Sequence, residues 1–257
     1  MTSLVEDFRA AADPVALSLQ AGIRPDPWQE RILRSNSQRL LLNCSRQSGK
    51  SLMAAMLCAH TAIFKPGSLT LLVSPSERQS SELFKRVHGI FRSVSWPVPV
   101  ASESALRLEL ANGSRVVSLP GKEGTVRGFS APKLIVIDES ARVPDELYVA
   151  LKPMLAVSQG RVIACSTPWG TRGWWHDAWR SAEPWERYRV PATDCPRISA
   201  ELLAEERRSL GHWEFAQEYL TEFQAGAGAV FDLEAIENCF DSTVQPLGLL
   251  NSKVWTA

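Results

Sequence analysis

Apolar residues along the chain gather in short runs that alternate with longer stretches of helical spacing. Residues 38–43 (QRLLLN) read as a buried strand, and 51–64, rich in Ala, Leu and Met, as the helix that follows. A second strand spans 69–74 (LTLLVS). Residues 76–93 place Leu83, Val87, Ile90 and Phe91 on one face of a helix and charges on the other. Residues 106–110 and 115–119 form a β-hairpin across Ala111-Asn112-Gly113-Ser114, because Asn-Gly tolerates the positive φ of a tight turn. A Gly-rich basic stretch, 120–130, leads into a strand at 133–137; 144–157 is helical and 162–165 is a further strand. The remainder is helix-prone, notably 199–209 and 212–223. Short apolar strands alternating with helices predict an α/β fold, a mostly parallel sheet with helices on both faces. Ala225-Gly226-Ala227-Gly228-Ala229 breaks the pattern as a hinge or linker.

The 257 residues suit one large domain, or one domain with a small appendage. Apolar runs such as those at 40–42 and 134–137 fall far short of the ~18–20 residues that span a bilayer. The start, MTSLVEDFRA, carries acids and lacks the apolar core of a secretory signal, so a cytosolic protein without a membrane partner is expected. Five cysteines, with no C-x-x-C pair and no His at ligand spacing, argue against a disulfide framework and a zinc site, and predict reduced, mostly buried thiols. The 28 Lys and Arg are balanced by 28 Asp and Glu, which excludes a field that wraps nucleic acid in bulk. The balance is uneven, however: 24–50 holds six basic residues against two acidic, and 201–222 six acidic against two basic. Any nucleic-acid contact must be a local patch.

Four clusters carry candidate chemistry. Cys44-Ser45-Arg46-Gln47-Ser48-Gly49-Lys50-Ser51 lies between a strand and a helix. A phosphate chain needs backbone N–H groups, a cation at its terminal phosphates and a hydroxyl on Mg²⁺, and Gly49, Lys50 and Ser51 at a helix start supply all three. The fit to G-x-x-x-x-G-K-[ST], the Walker A pattern, lacks its first Gly, which is Cys44. The strand LIVI ends in Asp138-Glu139, a Walker B pattern: Asp138 is placed to hold Mg²⁺ through water and Glu139 to polarise an attacking water. Ser166 and Thr167, with Pro168 and Gly170 setting a rigid turn, follow another strand and are placed to sense a terminal phosphate. Trp28 and Gln29 lie upstream, where Gln29 either reads the edge of an adenine or closes the first turn of a helix begun by Asp26-Pro27.

In this order the clusters resemble the ATPase part of the large terminase subunit, the DNA-packaging motor of tailed bacteriophages. The likeness covers roughly residues 20–240: a Trp-Gln adenine motif, a loop of the form S-R-Q-x-G-K-[ST] that often lacks the first Gly, a strand ending in Asp-Glu, and S-T-P-x-G. It implies a RecA-like (ASCE) P-loop NTPase fold with a small helical C-terminal lid and linker. It places ATP against Trp28, Gln29, Ser45, Arg46, Gln47, Ser48, Gly49, Lys50 and Ser51, and Mg²⁺ against Ser51 and Asp138. It gives the catalytic water to Glu139 and the coupling of hydrolysis to movement to Ser166 and Thr167. Two residues compete to be the arginine finger: Arg46 in the loop, and Arg127, which otherwise is a solvated loop charge and which some terminases use towards a neighbouring subunit.

The same resemblance implies a domain over 1–224, with the lid at about 171–224, and 225–257 as linker and truncated start of a missing nuclease. The partners it implies are double-stranded DNA, the portal protein of the procapsid, the small terminase subunit and further copies of the chain. These copies would form a ring, a pentamer, when active, with a monomer in isolation. The expected location is the cytoplasm of the bacterial host, docked transiently on the procapsid. Two other functions stay open: a superfamily 2 helicase-like ATPase, for which the chain leaves no room for a second lobe, and a truncated prophage remnant that binds ATP without packaging. Five tryptophans between 169 and 185 offer a base-stacking surface, but the helical spacing of Trp175 and Trp179 favours a core or interface role.

Overall fold

A computed structural model describes residues 4–94, 98–120, 126, 128–224 and 239. The chain divides into two units, 1–224 and 225–257; the second, apart from Cys239, lies outside the described residues. The first is built on one eight-stranded sheet: β1 (Arg39–Cys44), β2 (Leu69–Ser74), β3 (Val100–Ser104), β4 (Arg107–Leu110), β5 (Arg115–Pro120), β6 (Leu134–Asp138), β7 (Arg161–Ser166) and β8 (Glu186–Val190). Their order is β3-β4-β5-β2-β6-β7-β1-β8, parallel from β5 to β8 and antiparallel across β3, β4 and β5.

Strict alternation along the central strands explains why both faces are covered. Leu40, Leu42, Leu72, Val136 and Ile163 enter one core; Leu41, Leu71, Val73, Ile135, Ile137 and Val162 enter the other. Each such fully buried side chain contributes roughly 1.5–3 kcal/mol of transfer free energy. The first face is covered by α4 (Lys50–Phe64), which is buried nearly all round, and α5 (Glu77–Ser93), whose Leu83, Phe84, Val87 and Ile90 point inward. With them lie α1 (Leu4–Ala12), α2 (Pro14–Gln20) and α3 (Pro27–Arg34). Ser76 caps α5 by accepting from the Gln79 N–H at 3.3 Å. The hairpin turn has a second use: the Asn112 amide donates to the Ala62 and Ile63 carbonyls at 2.9 and 3.1 Å, satisfying the end of α4.

The opposite face is covered by α6 (Asp145–Ser158) and α7 (Trp174–Arg180). Trp174, Trp175 and Trp185 are core here, with Trp174 stacked on Tyr148 at 4.0 Å between centroids. Trp169 stays outside, its ring 4.0 Å from the Arg142 guanidinium. Four of the five cysteines are buried and all are free, while Cys239 is exposed.

Two stretches differ from the expected helices. Residues 186–190 join the main sheet beside β1 instead of coiling, because pairing with β1 satisfies their backbone. The terminal helix α9 (His212–Glu218), which follows α8 (Ala200–Ser209), stops short of residue 223. The carbonyls that follow it are taken up by the sheet and by the turn after β8: Tyr219 O accepts from the Ala192 N–H at 2.7 Å, Leu220 O from Arg189 at 2.8 Å and Thr221 O from Asn43 at 3.0 Å.

Candidate active site

β1, β7 and β6 end at one level: Asn43 is in register with Ser166, and Asp138 with Cys165. Loops leaving the carboxyl ends of neighbouring parallel strands make a crevice there, and in this sheet the crevice receives all the chemistry of the chain's three later motifs. The loop after β1 turns through Gln47 at φ 58° and Gly49 at φ 95° into α4. Among the described residues, the N–H groups of Gly49, Lys50 and Ser51 meet no protein acceptor, as the first turn of a helix leaves them. Lys50 is buried and reaches Glu139 Oε1 at 3.2 Å and Thr167 Oγ1 at 3.4 Å. Ser51 Oγ donates to Asp138 Oδ2 at 3.0 Å.

Electrostatics follow from this packing. Burial pulls the Lys50 pKa down, but the Glu139 and Asp138 carboxylates more than reverse it and the net shift is upward. Burial, then the Glu139 charge, raises Asp138 above the usual carboxylate range, although Lys50 and the Cys165 and Ser51 hydrogen bonds oppose this. The Cys165 thiol donates to Asp138 Oδ1 at 3.2 Å, leaving Oδ2 to the Ser51 side. Burial pushes the Cys44 thiol up to about 12, so it is an inert apolar lining below the loop. Glu139 adopts a left-handed backbone, φ 51° and ψ 44°, a conformation costing ~1–3 kcal/mol in a non-glycine residue. Here it turns the carboxylate towards Lys50.

Ser166 and Thr167 touch both sides of the crevice. Thr167 meets Lys50, while Ser166 Oγ accepts from the Ala141 N–H at 3.1 Å, behind Glu139. Ser45 is fully buried, and Arg46 is exposed with its guanidinium 3.9 Å from Glu218 and its N–H donating to Glu218 O at 2.9 Å. Trp28 is buried in the core, and the Gln29 amide oxygen accepts from the Asp26 N–H at 2.8 Å, closing the first turn of α3. Its amide nitrogen reaches Ser48 O at 3.5 Å. Arg127 lies outside the described residues. Arg197 is a residue that sequence reasoning missed: its Nη2 donates to Asp26 Oδ2 at 2.8 Å and to Ser48 O at 3.1 Å, beside the loop.

This donor set fits a Mg²⁺ nucleotide. Mg²⁺ takes one or two protein oxygens and completes its shell with water and phosphate, which matches the converging Ser51 hydroxyl and Asp138 carboxylate. Among the described residues there is no group of three or more His, Cys, Asp or Glu that could hold a metal ion. The unpaired loop N–H groups and the Lys50 ammonium suit an anionic phosphate chain.

A phosphate loop on β1, an Asp-Glu strand two places away, and a hydroxyl-bearing strand between them define a P-loop NTPase-like α/β domain. The family model for the large terminase subunit, T4likevirus-type, N-terminal, matches residues 41–238, and the chain belongs to that family. Similar proteins include the large terminase subunit of Thermus phage G20c, 26% identical over 247 residues, covering 82% of this chain and 51% of the relative. The chain thus spans about half the length of the curated relatives it matches. The ATPase domain of the Thermus phage P74-26 large terminase superposes with a TM-score of 0.72 at 24% identity, covering 80% of this chain and 97% of that one. The large terminase of the thermophilic bacteriophage D6E in complex with ADP gives a TM-score of 0.60 at 12% identity, over 80% of this chain and 53% of that one.

Proposed function

We propose that this chain hydrolyses ATP and that hydrolysis drives double-stranded DNA into a viral procapsid. The observation that carries the reading is the meeting of Lys50, Ser51, Asp138, Glu139 and Thr167 at the ends of three adjacent strands. Lys50 and the N–H groups of residues 49–51 would hold the β- and γ-phosphates, with residues 45–48 as the rest of the cradle and Trp28 and Gln29 on the adenine side. Ser51 and Asp138 would hold Mg²⁺, which when bound neutralises phosphate charge as it develops. Glu139 then orients the attacking water and accepts its proton, since phosphate exchanges its own oxygens for the Glu139 contact with Lys50.

In this reading Ser166 and Thr167 transmit the state of the site, because one touches the Lys50 side and the other the turn behind Glu139. Arg127 acts on a neighbour's nucleotide in a homo-oligomeric ring, with Arg46 the candidate within the same subunit. Portal protein and small terminase subunit complete the assembly in the bacterial cytoplasm. Residues 225–257 serve as a linker out of the ATPase unit.

The test is phosphate release from ATP, with and without duplex DNA. Glu139→Gln should bind ATP normally and lose ~10²–10⁴-fold in turnover, the span expected for a lost general base. Lys50→Ala should lose binding as well. Wild-type turnover in Glu139→Gln would overturn the proposal.

A further inference from the structure

Arg197 stands between the one-turn 3₁₀ helix Ala192–Asp194 and α8, far from the phosphate loop in sequence, yet its guanidinium sits on the loop's outer side. One nitrogen, Nη2, donates to Asp26 Oδ2 at 2.8 Å and to Ser48 O at 3.1 Å. The Gln29 amide approaches the same carbonyl at 3.5 Å, the weaker of the two contacts, and its oxygen is tied to the Asp26 N–H. Gln29 is 3% exposed and the Asp26 side chain 12%, so the ring Asp26, Gln29, Ser48, Arg197 closes under cover even though Arg197 itself is half exposed. A β-carbon on Gly49 would lie 2.9 Å from Gln29 Nε2 and 3.0 Å from Arg197 Nη2. Glycine is therefore needed there for contact as well as for its positive φ.

The consequence comes from peptide geometry. In a planar trans peptide the C=O and the following N–H point in opposite directions. Fixing the Ser48 carbonyl outward, on Arg197 and Gln29, aims the Gly49 N–H inward, to the side where the N–H groups of Lys50 and Ser51 also lack protein acceptors. Without those two donors the Ser48–Gly49 peptide can flip, since Gly49 accepts both signs of φ at little cost.

We propose that Arg197, with Gln29, is a positioning residue that pre-sets the phosphate loop by holding the Ser48–Gly49 peptide plane. The role assigned to the loop rests on the nucleotide reading above; the clamp itself does not. Gln29 thereby has a task in the nucleotide-free chain besides any contact with adenine. Arg197 also ties the loop to the helical segment beyond β8, so a movement of that segment would release the carbonyl.

The test has one arm without nucleotide and one with it, both on the full chain. In the first, the ¹⁵N order parameter of Gly49 should fall from about 0.85, the rigid-backbone value, to below about 0.6 in Arg197→Ala, while Gly67 and Gly113 keep theirs. In the second, the dissociation constant for a fluorescent ATP analogue should rise about tenfold in Arg197→Ala, with Arg197→Lys between it and wild type because a shorter reach keeps only part of the contact. Asp26→Asn, which keeps an acceptor at the helix cap but removes the ion pair, should move both readouts the same way by less. A rigid Gly49 in Arg197→Ala, or loosening shared by Gly67 and Gly113, overturns the clamp. A loosened Gly49 with unchanged affinity overturns the pre-setting of the loop. If wild type binds no nucleotide, the ATP reading fails and the order parameter alone decides the clamp.

Discussion

Replacing Lys50 with methionine probes the crevice without any nucleotide present. Methionine keeps an unbranched side chain of similar reach, so packing survives while the ammonium is lost. The Lys50 side chain is 10% exposed and its Glu139 partner 23%, at 3.2 Å. Removing one member of a fully buried ion pair costs ~3–5 kcal/mol, because the other charge is left without compensation. Glu139 keeps a partial route to solvent, and Asp138, already raised by burial, can take up a proton, so the expected cost is about 2–3 kcal/mol. In a domain of more than two hundred residues that corresponds to a fall of roughly 5–10 °C in Tm. The double variant Lys50→Met/Glu139→Gln should recover about 1 kcal/mol of the loss, since the stranded Glu139 charge has gone too. Thermal and urea unfolding followed by circular dichroism measure both. A Lys50→Met chain that melts within 1 °C of wild type would refute the claim that this pair is buried and mutually dependent.

Ser51→Ala removes the hydroxyl 3.0 Å from Asp138 Oδ2, and should raise the Mg²⁺ concentration for half-maximal turnover by about tenfold; titration at saturating ATP measures it. Gly49→Ala forces a β-carbon into the left-handed region and against Gln29 and Arg197, costing ~1–2 kcal/mol locally, so calorimetry should find ATP binding weakened at least tenfold. If Arg127 acts between subunits, Glu139→Gln chains should restore turnover to Arg127→Ala chains when mixed under conditions where wild type assembles. Full activity of Arg127→Ala alone would leave Arg46 as the remaining candidate.

The parallel core was legible because its strands are buried on both faces: LLL at 40–42, LLV at 71–73 and LIVI at 134–137 carry unbroken apolar runs. The hairpin was legible from Asn112-Gly113, whose Gly adopts φ 79°. β3, VASES, has five exposed residues and so carries no burial signal at all. β8, ERYRV, carries three charges, a half-buried Tyr188 and one buried apolar residue, Val190, because it is an edge, and reads as helix as easily as strand. The N-terminal helices were missed for a related reason: Leu4, Val5 and Phe8 are exposed while Val15 and Leu17 are buried, so no single apolar face marks them. In the crevice, Gly49 to Ser51 and Asp138-Glu139 each announce themselves through a strand that ends in functional residues. Arg197 does not, because its partners lie 149 and 171 residues away and only the fold brings them together. The Cys165 hydrogen bond to Asp138 is hidden in the same way, since register between β6 and β7 creates it.

The most direct test of the nucleotide site is a crystal structure of this chain with Mn²⁺ and a non-hydrolysable ATP analogue, read by the anomalous signal of the metal. One anomalous peak is expected against Ser51 Oγ on the Asp138 side of the crevice, with Lys50 turned from Glu139 to the phosphates and Glu139 facing the terminal phosphate. A metal bound elsewhere, or phosphates that leave the Lys50 to Glu139 ion pair intact, would contradict it.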